Sequence, residues 1–377
     1  PDAAQHYLQE LDAAATSAGY QPKPTELARR QVLGRLYQDV AAGNWELPAV
    51  SAVERQDLQS FLGWYGRLAL APAGSPQPVE GRAEVLGRAQ TLFVFLILLM
   101  GGFLLASFAS LTAGVVTVVL ASFGRIRFDR RPIVSRGTVY LETFLIWLIL
   151  FATLPALLQW IAPANLQTGF GLIGACASLI ALVWPPLRGV PWGETLQDIG
   201  LRWHSTPVEI AMGAWAYLVG LPLIAGSLFV SILLIGLFSA PADPNSFESP
   251  AGLAHPIQQM IGQGDLSAFL FIAFAAVIMA PLLEETVFRG LLYRHLREVT
   301  GSWWRLVSVL ASALLTGFVF AAIHPQGILL VPPLGMLGAL FAITREWRGS
   351  LVAPMTMHAI HNGTLIAITI VVVMLTS

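Results

Sequence analysis

The sequence predicts an all-α protein that crosses a membrane about eight times and carries a small helical extramembrane region at its N-terminal end. Composition is the first reason: of 377 residues, 55% are hydrophobic and only 11% are charged. The mean hydropathy of +0.68 is far too high for a soluble domain. The second reason is that the apolar residues fall in runs of about 20, the length that a helix needs to cross the hydrocarbon core.

Net charge and cysteine content narrow the function classes. The formal net charge is −1, so the chain as a whole has no electrostatic attraction for nucleic acid. Cys176 is the only cysteine, which excludes a disulfide within the chain.

The first 88 residues differ from the rest and predict the extramembrane region. They contain eight basic and ten acidic residues and few long apolar runs. Helical patterns are recognisable over 3–18, 25–42 and 50–71. Proline and glycine over 71–81 predict a linker to the membrane region.

Eight apolar runs follow, and each predicts a membrane-crossing helix. The predicted spans are 91–123, 138–161, 168–184, 208–239, 267–289, 304–324, 327–344 and 351–375. The first run is longer than lipid requires but too short for two crossings and a turn, so it predicts one long or tilted helix.

The placement of arginine predicts the orientation of these spans. The loop 124–136 contains five arginines against one acid, 289–305 contains four, and 345–348 contains two. With eight spans all three segments fall on one face of the membrane, which the positive-inside rule makes cytoplasmic. The N-terminal region is then expected on the opposite face.

Two adjacent glutamates near the end of the fifth run, Glu284 and Glu285, are the most informative polar residues. An intramembrane carboxylate costs about 2.5–3.5 kcal/mol on insertion scales, so a pair of them indicates a functional site. On a helix, Glu285 can pair with Arg289 one turn later, while Glu284 is turned by about 100° and faces elsewhere. Pro281 interrupts the helical hydrogen bonds just before them, which membranes tolerate where protein or a water-filled cavity satisfies the backbone.

Two later spans carry histidine. Phe320 and His324 are one helical turn apart, as are His358 and Asn362, whereas His361 does not share the face of Asn362. A carboxylate and a histidine can activate a water, and an amide and a second imidazole can donate to the oxyanion of an attacked carbonyl. These residue types predict hydrolysis of a peptide bond inside a membrane cavity.

Three ordered motifs resemble those of the CPBP/Abi family of intramembrane proteases, which contains the Rce1-like type II CAAX prenyl endopeptidases. Residues 284–290, Glu-Glu-Thr-Val-Phe-Arg-Gly, resemble its EExxxR signature. Residues 320–324 resemble its FxxxH motif and 358–362 its HxxxN motif. The resemblance covers about 265–375.

The resemblance implies an intramembrane endopeptidase without metal whose active site opens to the cytoplasm. Glu284 resembles the family's catalytic glutamate and His324 its partner in activating water, while His358 and Asn362 resemble the pair that stabilises the oxyanion. The implied supporting residues are Glu285, Arg289 and Phe320. Composition and the apolar runs predict an extramembrane region at 1–88 and accessory membrane helices at 89–264, and the resemblance adds a catalytic core at 265–377.

The expected partners are the lipid bilayer and a peptide or membrane-protein substrate, with or without a lipid modification, and the expected location is a bacterial cytoplasmic membrane. No cofactor is expected. A zinc-dependent form would use Glu284, His324 and His358 as three ligands with an open position. A non-catalytic scaffold of the same family and a proton-coupled transporter are two further functions that the same buried polar residues allow. His6, His204, His255 and His295 lie outside the predicted spans and are expected at the surface.

Overall fold

The computed structural model describes residues 24–42, 50–62, 70, 80–126, 133–163, 166–201, 206–238, 266–324 and 327–376. Within these ranges the regular structure is entirely helical, which confirms the predicted all-α class. The predicted helix 3–18 and most of the predicted linker 71–81 lie outside the described residues.

Contacts divide the chain into two compact units. Among the described residues, the first unit comprises 24–101 and 370–376, and the second comprises 102–238 and 266–369. The first contains helices α1 (Pro24–Ala41) and α2 (Ala52–Leu62).

Helices α1 and α2 pack around a small apolar core that includes Leu36 and Leu58. Helix α2 begins with a capping box: the backbone N–H of Ser51 donates to Glu54 Oε2 at 2.8 Å, and the N–H of Glu54 donates to Ser51 Oγ at 3.3 Å. The hydrogen bond from the Ser51 backbone, with help from Arg35, lowers the pKa of Glu54 to about 2.

The membrane region begins with α3, a helix of 43 residues. The bounds up to residue 238 are α3 (Glu80–Ser122), α4 (Val139–Ile161), α5 (Gln167–Ala177), a 3₁₀ segment (Ser178–Val183), α6 (Trp184–Leu187), α7 (Trp192–Ile199) and α8 (Thr206–Phe238). The third predicted span is therefore a helix with a 3₁₀ interruption, and α7 is a short helix that the apolar runs did not predict.

The C-terminal part contains the predicted catalytic core. Its bounds are α9 (Leu266–Phe274), a π-helical segment (Ala275–Met279), α10 (Ala280–Glu285), a second π-helical segment (Thr286–Leu292), α11 (Tyr293–Val299), α12 (Arg305–Ala322), a 3₁₀ segment (Ile328–Leu330), α13 (Val331–Arg348) and α14 (Val352–Thr376). The elements α9 to α11 form one continuous helical stretch, so the fifth span extends ten residues beyond its predicted end at 289.

Seven helical stretches in the described residues are long and apolar enough to cross a membrane. They are 89–122, 139–161, 167–187, 206–237, 269–299, 305–322 and 328–348. The eighth predicted span coincides with α14, a helix of 25 residues that is not among these seven.

Close helix approach and aromatic packing hold the C-terminal part together. Gly317 on α12 faces Gly338 on α13, and a Cβ added to Gly338 would lie 2.9 Å from the Cα of Gly317. Such contacts between small residues let membrane helices pack backbone to backbone. Phe288 lies between α4 and α12, with ring centroids 5.6 Å from Phe144 and 5.2 Å from Phe320.

Hydrogen bonds and ion pairs connect the arginine-rich segments at one end of the bundle. Glu298 Oε1 accepts hydrogen bonds from the backbone N–H groups of Arg136 and Gly137 at 2.7 and 2.8 Å. Arg297 pairs with Glu346 at 3.0 Å, and Arg348 pairs with Glu209 at 2.7 Å. This end is the one that the arginine count predicts to be cytoplasmic.

The expectation of an exposed His295 is wrong. Its exposed fraction is 8%, because the helical stretch continues to Val299 and its last turns pack against the residues that precede α4. His6, His204 and His255 lie outside the described residues.

Candidate active site

Three helical elements of the second unit carry the predicted polar residues. Glu284 and Glu285 are the last two residues of α10, between the two π-helical segments. His324 follows the C-terminal end of α12, and His358 lies in the second turn of α14. π-helical turns are rare and concentrate at functional sites, because the inserted residue redirects the side chains that follow it.

Glu284 faces both imidazoles. Its Oε2 atom lies 3.9 Å from Nε2 of His324 and 3.8 Å from Nε2 of His358. The same oxygen is buried and has no hydrogen-bond partner among the described residues. These separations exceed a direct hydrogen bond and suit a water molecule that contacts all three atoms.

Glu285 is buried and has different partners from Glu284. Its Oε1 atom accepts from Arg289 Nη1 at 3.0 Å and from His358 Nδ1 at 2.9 Å. Glu285 and Arg289 are fully buried, and Arg289 Nη2 donates to the carbonyl of Gly338 at 3.0 Å. The predicted pair of Glu285 and Arg289 therefore also fixes the orientation of His358, which turns Nε2 toward Glu284.

The ring of His324 is fixed by its own helix. Nδ1 lies 2.6 Å from the carbonyl oxygen of Phe320. A carbonyl can only accept, so Nδ1 carries the proton and Nε2 presents a lone pair to Glu284 when the ring is neutral.

Aromatic rings surround the buried guanidinium. The guanidinium carbon of Arg289 lies 4.6 Å from the ring centroid of Phe320 and 5.0 Å from that of Phe341. Phe341 also stacks on His358 at 5.0 Å, and Phe320 contacts His324 at 4.3 Å. Phe320 and Phe341 thus replace solvent around the charged groups with aromatic faces.

The structure places Asn362 and His361 differently. Asn362 Nδ2 donates to the backbone carbonyl of Ala276, at 2.8 Å, in the first π-helical segment. His361 Nδ1 lies 3.3 Å from the hydroxyl of Tyr217 on α8. The bundle therefore brings together Glu284, Glu285, Arg289, Phe320, His324 and His358, while the amide of Asn362 contacts the backbone eight residues before Glu284.

Sequence reasoning missed Gly338 and Phe341. Gly338 supplies a carbonyl to Arg289, and Phe341 covers His358. They are three residues apart on α13 and share a face, but a small and an aromatic residue in an apolar span carry no signal that separates them from ordinary packing.

The described residues contain no group of three or more His, Cys, Asp or Glu side chains arranged to hold a metal ion. The zinc-dependent alternative, with Glu284, His324 and His358 as ligands, stays a prediction.

The fold and the site define an integral membrane protein of helices with a shielded carboxylate facing two imidazoles. Residues 266–364 match the family of Rce1-like type II CAAX prenyl endopeptidases, which confirms the predicted resemblance over the segment that contains all of the predicted site residues.

Two relatives are similar to part of the chain. The "Membrane-embedded CAAX protease MroQ" of Staphylococcus aureus (strain USA300) is 30% identical over 95 residues, which are 25% of this chain and 37% of that protein. An "Uncharacterized 24.3 kDa protein" of Escherichia coli is 29% identical over 147 residues, 37% of this chain and 60% of that protein. The chain thus spans less than two thirds of either relative. No solved structure matches the chain.

Proposed function

We propose that this protein is an intramembrane endopeptidase that hydrolyses a peptide bond with a water molecule activated by Glu284. The observation that carries the proposal is the position of Glu284 Oε2, a buried oxygen without a hydrogen-bond partner among the described residues and within 3.9 Å of two imidazole nitrogens. A shielded carboxylate next to two imidazoles is a suitable general base for water.

The reaction begins with a water held between Glu284 and His324. Glu284 takes one proton of the water while the water oxygen attacks the scissile carbonyl. The lone pair on His324 Nε2 orients the second proton of the water. The tetrahedral intermediate then collapses, the C–N bond breaks, and Glu284 returns its proton to the leaving amine. One water is consumed, and one carboxyl and one amino group are formed.

His358 is the proposed donor to the oxyanion. Its Nδ1–H is held by Glu285, so Nε2 can donate when the ring carries both protons. Arg289 balances the charge of Glu285 and holds its carboxylate in place. A single oriented donor of this kind contributes about 2.7–4 kcal/mol to transition-state stabilisation in proteases.

The proposed substrate is a peptide or membrane protein with a C-terminal sequence of the CAAX type, with or without a prenyl group. Support comes from the name of the staphylococcal relative and from the matched family. We also propose that the site opens toward the cytoplasm in a bacterial cytoplasmic membrane, since the end that gathers the arginine-rich segments is the one predicted to be cytoplasmic.

Purified protein in detergent micelles tests the proposal. The probe is an internally quenched, farnesylated peptide that ends in a CAAX sequence, and the matched control is the same peptide without farnesyl. Wild-type protein should release the fluorophore, and both Glu284→Gln and His324→Ala should lose cleavage. Full activity in both variants would show that these residues do not activate the water.

A zinc enzyme and a non-catalytic scaffold would give distinct outcomes. A zinc enzyme would contain stoichiometric zinc by elemental analysis and lose activity with a chelator. A non-catalytic scaffold would leave the termini of membrane proteins unchanged between cells with wild-type and Glu284→Gln protein, and the variant would restore any deletion phenotype.

A further inference from the structure

The helix that carries Glu284 changes its hydrogen-bond register immediately before the site. Residues Ala275–Met279 are π-helical. The backbone N–H of Ala280 donates to the carbonyl of Ala275, five residues earlier rather than four. In the same register, the donor for the carbonyl of Ala276 is the backbone N–H of residue 281.

Residue 281 is proline and has no N–H. The carbonyl of Ala276 therefore lacks the donor that this register assigns to it. Pro281 is buried, so bulk solvent does not reach this turn from that side. Inside a membrane bundle such a carbonyl must find another donor or remain unsatisfied at considerable cost.

Asn362 supplies the donor. Its Nδ2 atom lies 2.8 Å from the carbonyl oxygen of Ala276, although the two residues are 86 positions apart. Asn362 is one helical turn beyond His358 on α14, and Pro281 is three residues before Glu284. The bond thus connects the two helices that carry Glu284 and His358, one turn beyond His358 and eight residues, about two turns, before Glu284.

We propose that Asn362 is a positioning residue that replaces the N–H missing from Pro281 and thereby sets the separation between Glu284 and His358. This inference rests on the proposed function for its kinetic test. It differs from the oxyanion role that the family resemblance implies for Asn362, because in the structure the amide donates to the backbone carbonyl of Ala276.

The test is rescue of one substitution by another. Asn362→Ala removes the donor, and Pro281→Ala restores a backbone N–H at residue 281. The four proteins, wild type, N362A, P281A and the double variant, are assayed in detergent with the farnesylated CAAX peptide. Pro222, a proline inside α8 and far along the chain from Ala276, provides the matched control, N362A with P222A.

N362A should lower kcat by about 10- to 100-fold, because a partly buried carbonyl in the helix that carries Glu284 loses its donor, with KM nearly unchanged. P281A should stay within about threefold of wild type, and the double variant should return to the level of P281A. The pH profile of kcat should shift in N362A and return in the double variant, because it reports the relation of Glu284 to His358. The P222A control should not rescue.

Thermal midpoints in detergent test the same bond without any substrate. N362A should lower the midpoint, and addition of P281A should restore it. If the wild-type protein cleaves no probe, the proposed function fails, while this measurement still decides whether Asn362 replaces the N–H missing from Pro281. A double variant that is as inactive and as unstable as N362A would overturn the inference, and so would unfolding of P281A alone.

Discussion

The Glu285 carboxylate accepts a hydrogen bond from Nδ1 of His358 at 2.9 Å, across 73 residues of sequence. The same oxygen accepts from Arg289. The two adjacent glutamates therefore have separate environments: Glu285 Oε1 accepts from a guanidinium and an imidazole, whereas Glu284 Oε2 is buried without a partner among the described residues. This difference leads to opposite expectations for the same substitution at the two positions.

Glu284→Gln should abolish most activity without loss of stability. The substitution removes a general base, for which losses of about 10²- to 10⁴-fold in kcat are typical. It also removes a buried carboxylate whose Oε2 has no hydrogen-bond partner in the described part of the chain, so the thermal midpoint in detergent should stay equal or rise. A midpoint several degrees below wild type would show that Glu284 is chiefly a structural residue.

Glu285→Gln should destabilise the protein strongly. It leaves the guanidinium of Arg289 buried without its counter-charge, and breaking such a pair costs about 3–5 kcal/mol. The measurement is the unfolding free energy in detergent. Glu194→Gln is the control, since Glu194 pairs with Arg136 but is 51% exposed, and exposed pairs contribute about 0–1 kcal/mol. Equal effects of the two substitutions would contradict the buried network.

Gly338→Ala should lower both stability and activity. The added Cβ would lie 2.9 Å from the Cα of Gly317 and 3.2 Å from a ring atom of Phe320, so α12 and α13 must separate. Overpacking of this kind costs about 1–3 kcal/mol. Gly226→Ala is the matched control because nothing lies within 4 Å of its added Cβ. A thermal midpoint unchanged in Gly338→Ala would show that this helix contact is loose.

The two histidines of the last helix should differ in their effect on cleavage. His358→Ala removes the side chain that faces both Glu284 and Glu285 and should lower kcat by at least about 100-fold, as loss of an oxyanion donor does. His361→Ala removes a contact with Tyr217 and should keep kcat within a few-fold of wild type. The reverse order of effects would mean that α14 is rotated relative to this structure in the active protein.

Local signals in the sequence were sufficient for the helices and for part of the site. Apolar runs predicted membrane-crossing helices because lipid demands internal hydrogen bonding over a fixed thickness. Helical spacing predicted the pair of Glu285 and Arg289, since residues four apart face each other on any helix. The three motifs identified the family segment. Spacing also favoured His358 over His361, and the structure turns His358 toward the glutamates and His361 toward Tyr217.

Contacts between distant segments determined how the helices pack and which of their side chains meet. The hydrophobic periodicity of the sequence does not predict how closely α12 and α13 approach. That distance depends on two glycines 21 residues apart that must face each other. Nor does the local pattern reveal that His358 binds Glu285 or that Asn362 reaches Ala276. The sequence by itself determined which side chains each helix presents, because hydrogen bonds within a helix fix its faces. The packing of separate helices alone decided which of those side chains meet, because contact energy between helices depends on both partners at once.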